Sequence, residues 1–415
     1  MFSNPLTAFG KTSYAQTGNL LGHDGSALAR ISDKARRYNA MHITGSEADR
    51  TDWVIEQALQ DIDRQNLVVL RDPKGLATAE IIARAGKAFV KNAVWIDLDS
   101  RERLIPLSPF PSHQPEETSF VPQWERALLD ALQPLSGASA RTMQRLLQML
   151  YAANGSEDYL QPSFTTFWLS VVMPDYRRML LSHVPTAFWR LMPDEKALLE
   201  LQQDIGPKLA ELFAVNQWRG TLTLPDPTRA CRWDQALQSH PNKQVQFIAI
   251  TGAAEHSDPV IQAAVNFALW RKITAWQVLR DGLPVYAYSL SADFFASPAV
   301  TPLLHGAPAK LSVTCAQNDP QDWLHYELTG HLSQTGHRIA VEDSRGASVT
   351  LKRKPALPAP NYALAKISRK YSTGVYARNA EFPLMEQQAL FGKEDGLADI
   401  YEALGQLPPH FMKAA

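Results

Sequence analysis

The sequence predicts an α/β fold: a parallel sheet covered by helices and interrupted by an all-helical insertion. Three observations predict it. Short apolar runs alternate with helix-like segments before residue 100. Apolar residues then recur at helical spacing, with almost no strand signal, from Pro111 to about Val215. Sheet-type runs return between Val245 and Lys352. Alternating strand and helix is the pattern of a parallel sheet buried on both faces, and a long block of 3.6 periodicity is that of a helical domain.

Taken in order, the glycine-broken runs Asn19–Gly25 and Ala27–Ile31 predict a hairpin. Met41–Thr44, Leu67–Leu70 and Val94–Leu98 predict strands, separated by helices over Trp53–Asp63 and Thr78–Val90. In the insertion, Trp124, Leu128, Leu129 and Leu132 share one helical face, as do Met143, Leu146, Leu147 and Leu150. Ser163–His183, Thr186–Leu191 and Glu195–Phe213 read the same way. Val245–Thr251 predicts a strand and Asp258–Arg280 a long helix. Pro284–Leu290, Lys310–Ala316, Arg338–Val341 and Ser348–Lys352 predict further strands. Pro355–Pro360 marks a linker, followed by a tail with an amphipathic stretch at Leu384–Leu404. The expected division is an N-terminal hairpin segment (1–40), an α/β core (41–110 and 216–355), the all-α insertion (111–215) and the tail (356–415).

Composition narrows the function. The 415 residues are 45% hydrophobic and 20% charged, with a net charge of −1, so no global field draws the chain to nucleic acid or membrane. Cys231 and Cys315 are the two cysteines. They suggest neither a disulfide framework nor a zinc cluster and fit a reducing compartment. The first ten residues lack the basic and apolar regions of a signal peptide, and no run reaches the roughly 18 apolar residues of a membrane span. These features predict a cytoplasmic protein, reaching the inner membrane only through partners.

One segment carries the setting of a phosphate-binding loop without its chemistry. Gly45-Ser46-Glu47-Ala48-Asp49-Arg50-Thr51-Asp52 follows the strand Met41–Thr44 and precedes the helix at Trp53. Strand, glycine turn and helix together form the layout that cradles nucleotide phosphates. Such loops need a second Gly, then Lys, then Ser or Thr, and here Arg50, Thr51 and Asp52 hold those places. Glu47, Asp49 and Asp52 would repel a polyphosphate at short range. A carboxylate in the first helical turn is favoured by the macrodipole, so Asp52 is expected to fill the anion site itself. An ordinary strand-to-helix turn capped by Thr51 or Asp52 is the plainer reading.

Several further segments fall into a familiar order. Leu21–Gly25, Ser32–Arg37 and Met41–Gly45 resemble the start of the HerA/FtsK-type P-loop ATPases, above all the TraG/TraD-like coupling proteins of type IV secretion. Asn66–Gly75, with its Asp72-Pro73-Lys74-Gly75 ending, resembles their second strand, and Val94–Asp99 the next. The insertion resembles their all-α domain, with Pro174–Arg178 and Phe188-Trp189 where these proteins carry Arg-rich and Phe-Trp motifs. Pro284–Tyr288 with Phe294-Phe295 resembles the Walker B strand, and Thr314–Gln317 the strand that ends in a polar sensor, Gln317. The resemblance spans roughly residues 20–345 and implies a RecA-like core.

The departures decide the functional expectation. Where the family has Asp-Glu at the end of the Walker B strand, this chain has Leu290-Ser291. The first acid holds the Mg²⁺ shell and the second activates water; Leu290 and Ser291 do neither. Asp293 close by restores one acid at most. The resemblance therefore implies a catalytically inactive, ATPase-like structural or adaptor subunit with no cofactor, ATP and Mg²⁺ included. Its partners would be an active coupling ATPase or other secretion subunits, and it would pack into a ring or dock on one. Two alternatives stay open: a weak or unconventional ATPase that borrows its acid or Lys from a neighbour, and a non-catalytic DNA-binding module.

The remaining candidates have plainer readings. Gln317 fits a strand-end polar residue as well as a sensor, and Lys74 fits a turn residue. His23, Asp24, His42 and His256 lack metal-ligand spacing. Phe167, Trp168, Phe188 and Trp189 are expected to anchor the helical core. Lys366, Arg369, Lys370 and Arg378, interleaved with Tyr371 and Tyr376, form a candidate nucleic-acid patch that reads equally as a solvated tail or subunit contact.

Overall fold

The computed structural model describes residues 18–24, 27–31, 36, 40–87, 89–99, 103–104, 109–110, 121–153, 162–214, 245–252, 260–261, 263–268, 285–291, 311–316, 326–334, 337–343, 346–353, 362–363, 365–366 and 375–376. The chain forms two units. The first comprises Met1–Asp99, Arg232–Glu255 and Trp270–Thr373; the second comprises Ser100–Cys231, His256–Leu269 and Gly374–Ala415.

The first unit is built on one mixed sheet. In chain order its strands are β1 (Asn19–Asp24), β2 (Ala27–Ile31), β3 (Ala40–Thr44), β4 (Leu67–Arg71) and β5 (Ala93–Asp97). In the second unit, β6 (Arg103–Leu104) pairs antiparallel with β13 (Val375–Tyr376). The sheet continues with β7 (Phe247–Thr251), β8 (Val285–Ser289), β9 (Leu311–Ala316), β10 (Tyr326–Leu332), β11 (Arg338–Asp343) and β12 (Ser348–Lys352). Among the described residues the order across the sheet is β2-β1-β12-β11-β10-β3-β9-β8-β4-β7-β5. From β10 to β5 all neighbours are parallel, and β10-β11-β12-β1-β2 is an antiparallel extension.

Burial follows the pairing. β4, β7 and β8 lie inside the parallel region and are buried at every position, as strands covered on both faces must be. The antiparallel strands alternate instead: Ile339 and Val341 of β11 are buried while Arg338 and Glu342 are exposed. The expected hairpin is β1–β2, with an irregularity between Leu20 and Gly22.

The strand β10 was not expected. Its sequence, Tyr-Glu-Leu-Thr-Gly-His-Leu, reads as broken by Gly330. In the structure that glycine is a close-approach point. A Cβ there would sit 2.6 Å from Ile43 Cδ1 and 3.0 Å from Ile339 Cδ1, so a side chain at this position would have to push both isoleucine ends aside.

Among the described residues, two helices pack on this sheet. The first, α1, spans Glu47–Asp63 and buries Trp53, Val54, Ile55, Ala58, Leu59 and Ile62. It ends at Gln65, whose φ is 62°. The Gln65 N–H bonds to the Ile62 carbonyl (2.8 Å) and the Asn66 N–H to the Asp61 carbonyl (3.0 Å), the paired bonds of a Schellman ending. The second, α2, spans Leu76–Ala85 and stops short of the expected Val90, with a separate 3₁₀ turn at Phe89–Asn92.

A buried polar network pins α1 to the sheet. Arg36 grips Asp61 through both terminal nitrogens (2.8 Å each) and lies over the Tyr286 ring at 4.2 Å. It also donates to the Tyr288 hydroxyl at 2.7 Å, and that hydroxyl donates to Asp61 Oδ2 at 2.5 Å. A second buried pair, Arg353 with Glu56 at 2.7 Å, ties α1 to the residue after β12.

The second unit is helical: α3 (Val121–Ala131), α4 (Gly137–Ala152), α5 (Phe164–Val172), α6 (Pro174–His183), a 3₁₀ helix at Thr186–Leu191 and α7 (Glu195–Ala214). Ser136 caps α4 by accepting from the Ser139 N–H, and Ser163 with Thr166 forms a capping box on α5. Trp124 lies at the centre of an aromatic core, with Phe110, Phe164 and Phe267 at centroid distances of 5.2, 6.0 and 5.1 Å. Phe267 belongs to the stretch at 260–261 and 263–268, which is helical and lies with this unit rather than with the sheet. The rest of the expected helix Asp258–Arg280, the linker at Pro355–Pro360 and the stretch Leu384–Leu404 lie outside the described residues.

Candidate functional site at the carboxyl edge of the parallel strands

Parallel strands bind ligands at their carboxyl ends, and this edge carries most of the positions singled out in sequence. In order across the sheet it presents Thr44-Gly45 after β3, Ala316 at the end of β9, Leu290-Ser291 after β8, Asp72 after β4, Gly252 after β7 and Asp97 at the end of β5. β9 separates β3 from β8, which places Gly45 and Leu290 two strand spacings apart, about 10 Å.

The segment Gly45–Asp52 is not a loop. Only Gly45 and Ser46 lie between β3 and α1, because the helix begins at Glu47 rather than at Trp53. Ser46 is the cap: its Oγ accepts from the Asp49 N–H at 3.2 Å and donates to Asp49 Oδ2 at 2.5 Å. The Arg50 N–H bonds to the Ser46 carbonyl at 3.0 Å, and Thr51 Oγ1 donates to the Glu47 carbonyl at 2.8 Å. Arg50, Thr51 and Asp52 are therefore helical residues in ordinary helical bonding. Asp52 is exposed, and the acids of the first turn are Glu47 and Asp49, which corrects the expectation that Asp52 takes the anion site. Ser-x-x-Asp is a helix-start signal, and it places the helix start correctly.

Gly45 is required where it stands. Its φ is +142°, and a Cβ would lie 2.8 Å from Leu332 Cβ. Beside it, Lys74 Nζ pairs with Glu47 Oε1 at 2.6 Å, both side chains exposed. The hydrogen bond and charge of Lys74 hold the Glu47 carboxyl below its ordinary range.

At the end of β8 the Leu290 side chain packs partly buried against the core, and its N–H bonds to the Arg71 carbonyl at 2.9 Å. The Ser291 N–H donates to Ser289 Oγ at 3.1 Å, and that hydroxyl donates back to the Ser291 carbonyl at 3.0 Å. The turn is closed on itself and offers no carboxylate. Gln317, Asp293, Arg369, Lys370 and Arg378 lie outside the described residues. Lys366 is exposed and belongs to the first unit, whereas Tyr376 of the same sequence patch lies in β13 of the second.

The motif Asp72-Pro73-Lys74-Gly75 has a structural task. Asp72 is buried and caps α2, accepting from the Gly75 N–H (3.0 Å), the Thr78 N–H (2.8 Å) and Thr78 Oγ1 (3.0 Å). Burial pushes its carboxyl up, and the Thr78 and Gly75 bonds oppose that shift. Arg71 donates to the carbonyls of Ile250 (3.2 Å) and Gly252 (2.9 Å), and Trp95 Nε1 donates to Thr251 Oγ1 (2.9 Å). The edge is thus cross-braced by side chains. Asp72→Ala removes three accepted bonds and is expected to lower stability by about 1–2 kcal/mol, measured by denaturant unfolding, with Asp72→Asn losing less.

In the helical unit, Phe167 and Trp168 are buried as expected, but Trp189 is 52% exposed. Its ring N–H donates to the Leu181 carbonyl at 3.0 Å, so one edge is anchored while the ring faces out. Arg177 is buried and donates to the Ser170 and Val171 carbonyls at 3.4 and 2.9 Å, closing the end of α5. Among the described residues no cluster of three or more His, Cys, Asp or Glu is placed to hold a metal, and no helix is long and apolar enough to cross a membrane.

No protein-family model matches the chain, and no curated protein matches it. Among solved structures it is similar to VirB4 of Thermoanaerobacter pseudethanolicus, with a TM-score of 0.54 at 12% identity over 82% of this chain and 97% of that one. It is also similar to the plasmid coupling protein TrwB in complex with a GTP analogue: TM-score 0.46, 13% identity, 78% of this chain and 80% of that one. A form of the bacterial conjugative coupling protein TrwB with sulphate gives 0.46 at 12% identity, over 84% and 85% of the two chains. The likeness to VirB4 supports the fold expected from the sequence: a RecA-like α/β core with a parallel sheet, carrying here a helical unit.

Proposed function

We propose that this chain is a catalytically inactive, ATPase-like subunit or adaptor of a type IV secretion or conjugation-type assembly. The observation that carries the reading is the two-residue turn between β3 and α1. A phosphate cradle is a run of backbone N–H groups around a glycine-rich loop. Here the helix starts immediately, Ser46 takes the Asp49 N–H, and Glu47 and Asp49 supply negative charge at the helix start. Two strands along the same edge, the Leu290 side chain packs partly buried against the core and Ser291 is bonded into its own turn. The chain binds neither ATP nor Mg²⁺ in this reading. It works through its surfaces, beside an active ATPase or other secretion subunits, in the cytoplasm or at the inner membrane through those partners.

Calorimetric titration with ATP and Mg²⁺, together with a hydrolysis assay, tests the inactive state. No binding heat and no turnover are expected. Turnover abolished by Gln317→Ala would identify an unconventional ATPase instead. Pull-down of an intact P-loop ATPase with the full chain tests the adaptor role.

A further inference from the structure

Near the carboxyl ends of β3 and β10, Thr44 and His331 lie directly opposite each other. On the far side of β10, Ala340 of β11 lies opposite His331. These residues alternate with Leu328, Leu332, Ile339 and Val341, which are buried, so they share the other face of the sheet. The His331 ring is exposed and Thr44 is half-buried. Thr44 Oγ1 lies 2.7 Å from His331 Nδ1 and donates to the Gly330 carbonyl at 3.4 Å. A hydroxyl has one proton, and a carbonyl only accepts. With its proton on the Gly330 carbonyl, Thr44 Oγ1 accepts from His331, which assigns the ring proton to Nδ1. The lone pair of Nε2 is then left free as a nucleophile on a held ring.

The neighbouring charges select what this nitrogen can attack. Arg338, two residues before Ala340, stands on one diagonal from His331, roughly 7–8 Å away and within reach of a long side chain. It is exposed, and among the described residues no carboxylate pairs with it. Lys352 lies opposite Arg338 on β12. Glu342, opposite Thr329, holds the other diagonal. A metal would need about three protein ligands, and among the described residues no such cluster of His, Cys, Asp or Glu is present. An anionic electrophile directed toward Arg338 fits instead. We propose that His331 is a phosphoryl-acceptor site, modified at Nε2 by an acyl phosphate, with Arg338 holding the transferred oxygens. The Nε2 lone pair forms the N–P bond as the P–O bond to the acyl group breaks, and the carboxylate leaves with that electron pair. The Nδ1 proton stays in its bond to Thr44. The product adds a phosphoryl dianion to this face of the sheet, a change of local charge of the kind that regulates surfaces. The site does not rest on the inactive state of the carboxyl edge.

Incubation of the full chain with acetyl phosphate, followed by intact-mass measurement and peptide mapping, tests the proposal. One phosphoryl group at His331 is expected, stable to alkali and lost in acid as an N–P bond is, with nuclear magnetic resonance placing the linkage at Nε2. His331→Gln should abolish it. Arg338→Gln should slow it at least about ten-fold, through loss of a charge-assisted bond to the transferred group. Thr44→Val should divide the linkage between Nδ1 and Nε2. All three side chains are exposed or half-buried, and circular dichroism checks that each variant is folded. Labelling spread at comparable rates over several of the 11 histidines overturns the proposal. So does an unchanged rate in folded Arg338→Gln, an unchanged Nε2-only linkage in Thr44→Val, or a chain that takes up no N-linked phosphoryl group from either acetyl phosphate or potassium phosphoramidate.

Discussion

Asp61→Ala is expected to destabilise the sheet unit by about 3–5 kcal/mol, because it leaves Arg36 buried and charged without its partner. The pair is 2% and 0% exposed at 2.8 Å. It joins a residue before β3 to the last turn of α1 and, through Tyr288, to β8. Burial raises the Asp61 carboxyl, but the charge and hydrogen bonds of Arg36, with the Tyr288 hydrogen bond and the Arg64 charge, outweigh it, and the net shift is downward. A carboxylate with a lowered folded pKa contributes stability that is complete above its unfolded value. That contribution fades as pH falls through the folded value. Urea unfolding followed by circular dichroism should therefore show a loss of stability below about pH 4 in the unmodified chain. The loss should be much weaker in Arg36→Met/Asp61→Leu, where both charges are gone. That double variant should also recover much of the stability lost by Asp61→Ala, since the apolar pair leaves no fully buried charge orphaned, and Arg64, which also pairs with Asp61, is partly exposed. Equal losses in the single and double variants would refute this account of the network.

The network was not legible in sequence, and the reason is physical. Arg36, Asp61 and Tyr288 are far apart along the chain, and their meeting depends on β8 lying across the sheet under α1. The strands themselves were legible because β4, β7 and β8 are short apolar runs buried on both faces, which is a composition signal. β10 hid behind Gly330, which reads as a breaker until Ile43 and Ile339 are seen against it. The start of α1 was readable from Ser46 and Asp49, but the glycine before them drew attention to a loop. β8 ends at Ser289, one residue before the expected end at Leu290, so Leu290 and Ser291 follow the strand. Sequence could not show that Leu290 packs against the core or that Lys74 sits on Glu47. Both depend on which strand ends share an edge.

Trp124→Ala is expected to cost about 3–5 kcal/mol and to act on the helical unit. The indole is fully buried, with Phe110, Phe164 and Phe267 around it at 5.2, 6.0 and 5.1 Å. Phe110 and Phe164 also meet each other edge-on at 5.1 Å and 88°, so the cluster is fixed by ring geometry as well as by area. Removing its centre leaves a cavity bounded by three rigid rings that have little freedom to collapse, which puts the loss at the upper end of the range. Trp124→Phe keeps most of the volume and should lose far less. The helical unit draws Phe110, Trp124, Phe164 and Phe267 from four separate stretches of chain, so the variant tests whether those stretches fold as one body. Hydrogen exchange should then rise across α3, α5 and 263–268 together, while β4, β7 and β8 keep their protection. Loss confined to α3 would mean that the aromatic cluster does not unite the helices, and loss spread through the sheet would mean that the two units do not fold separately.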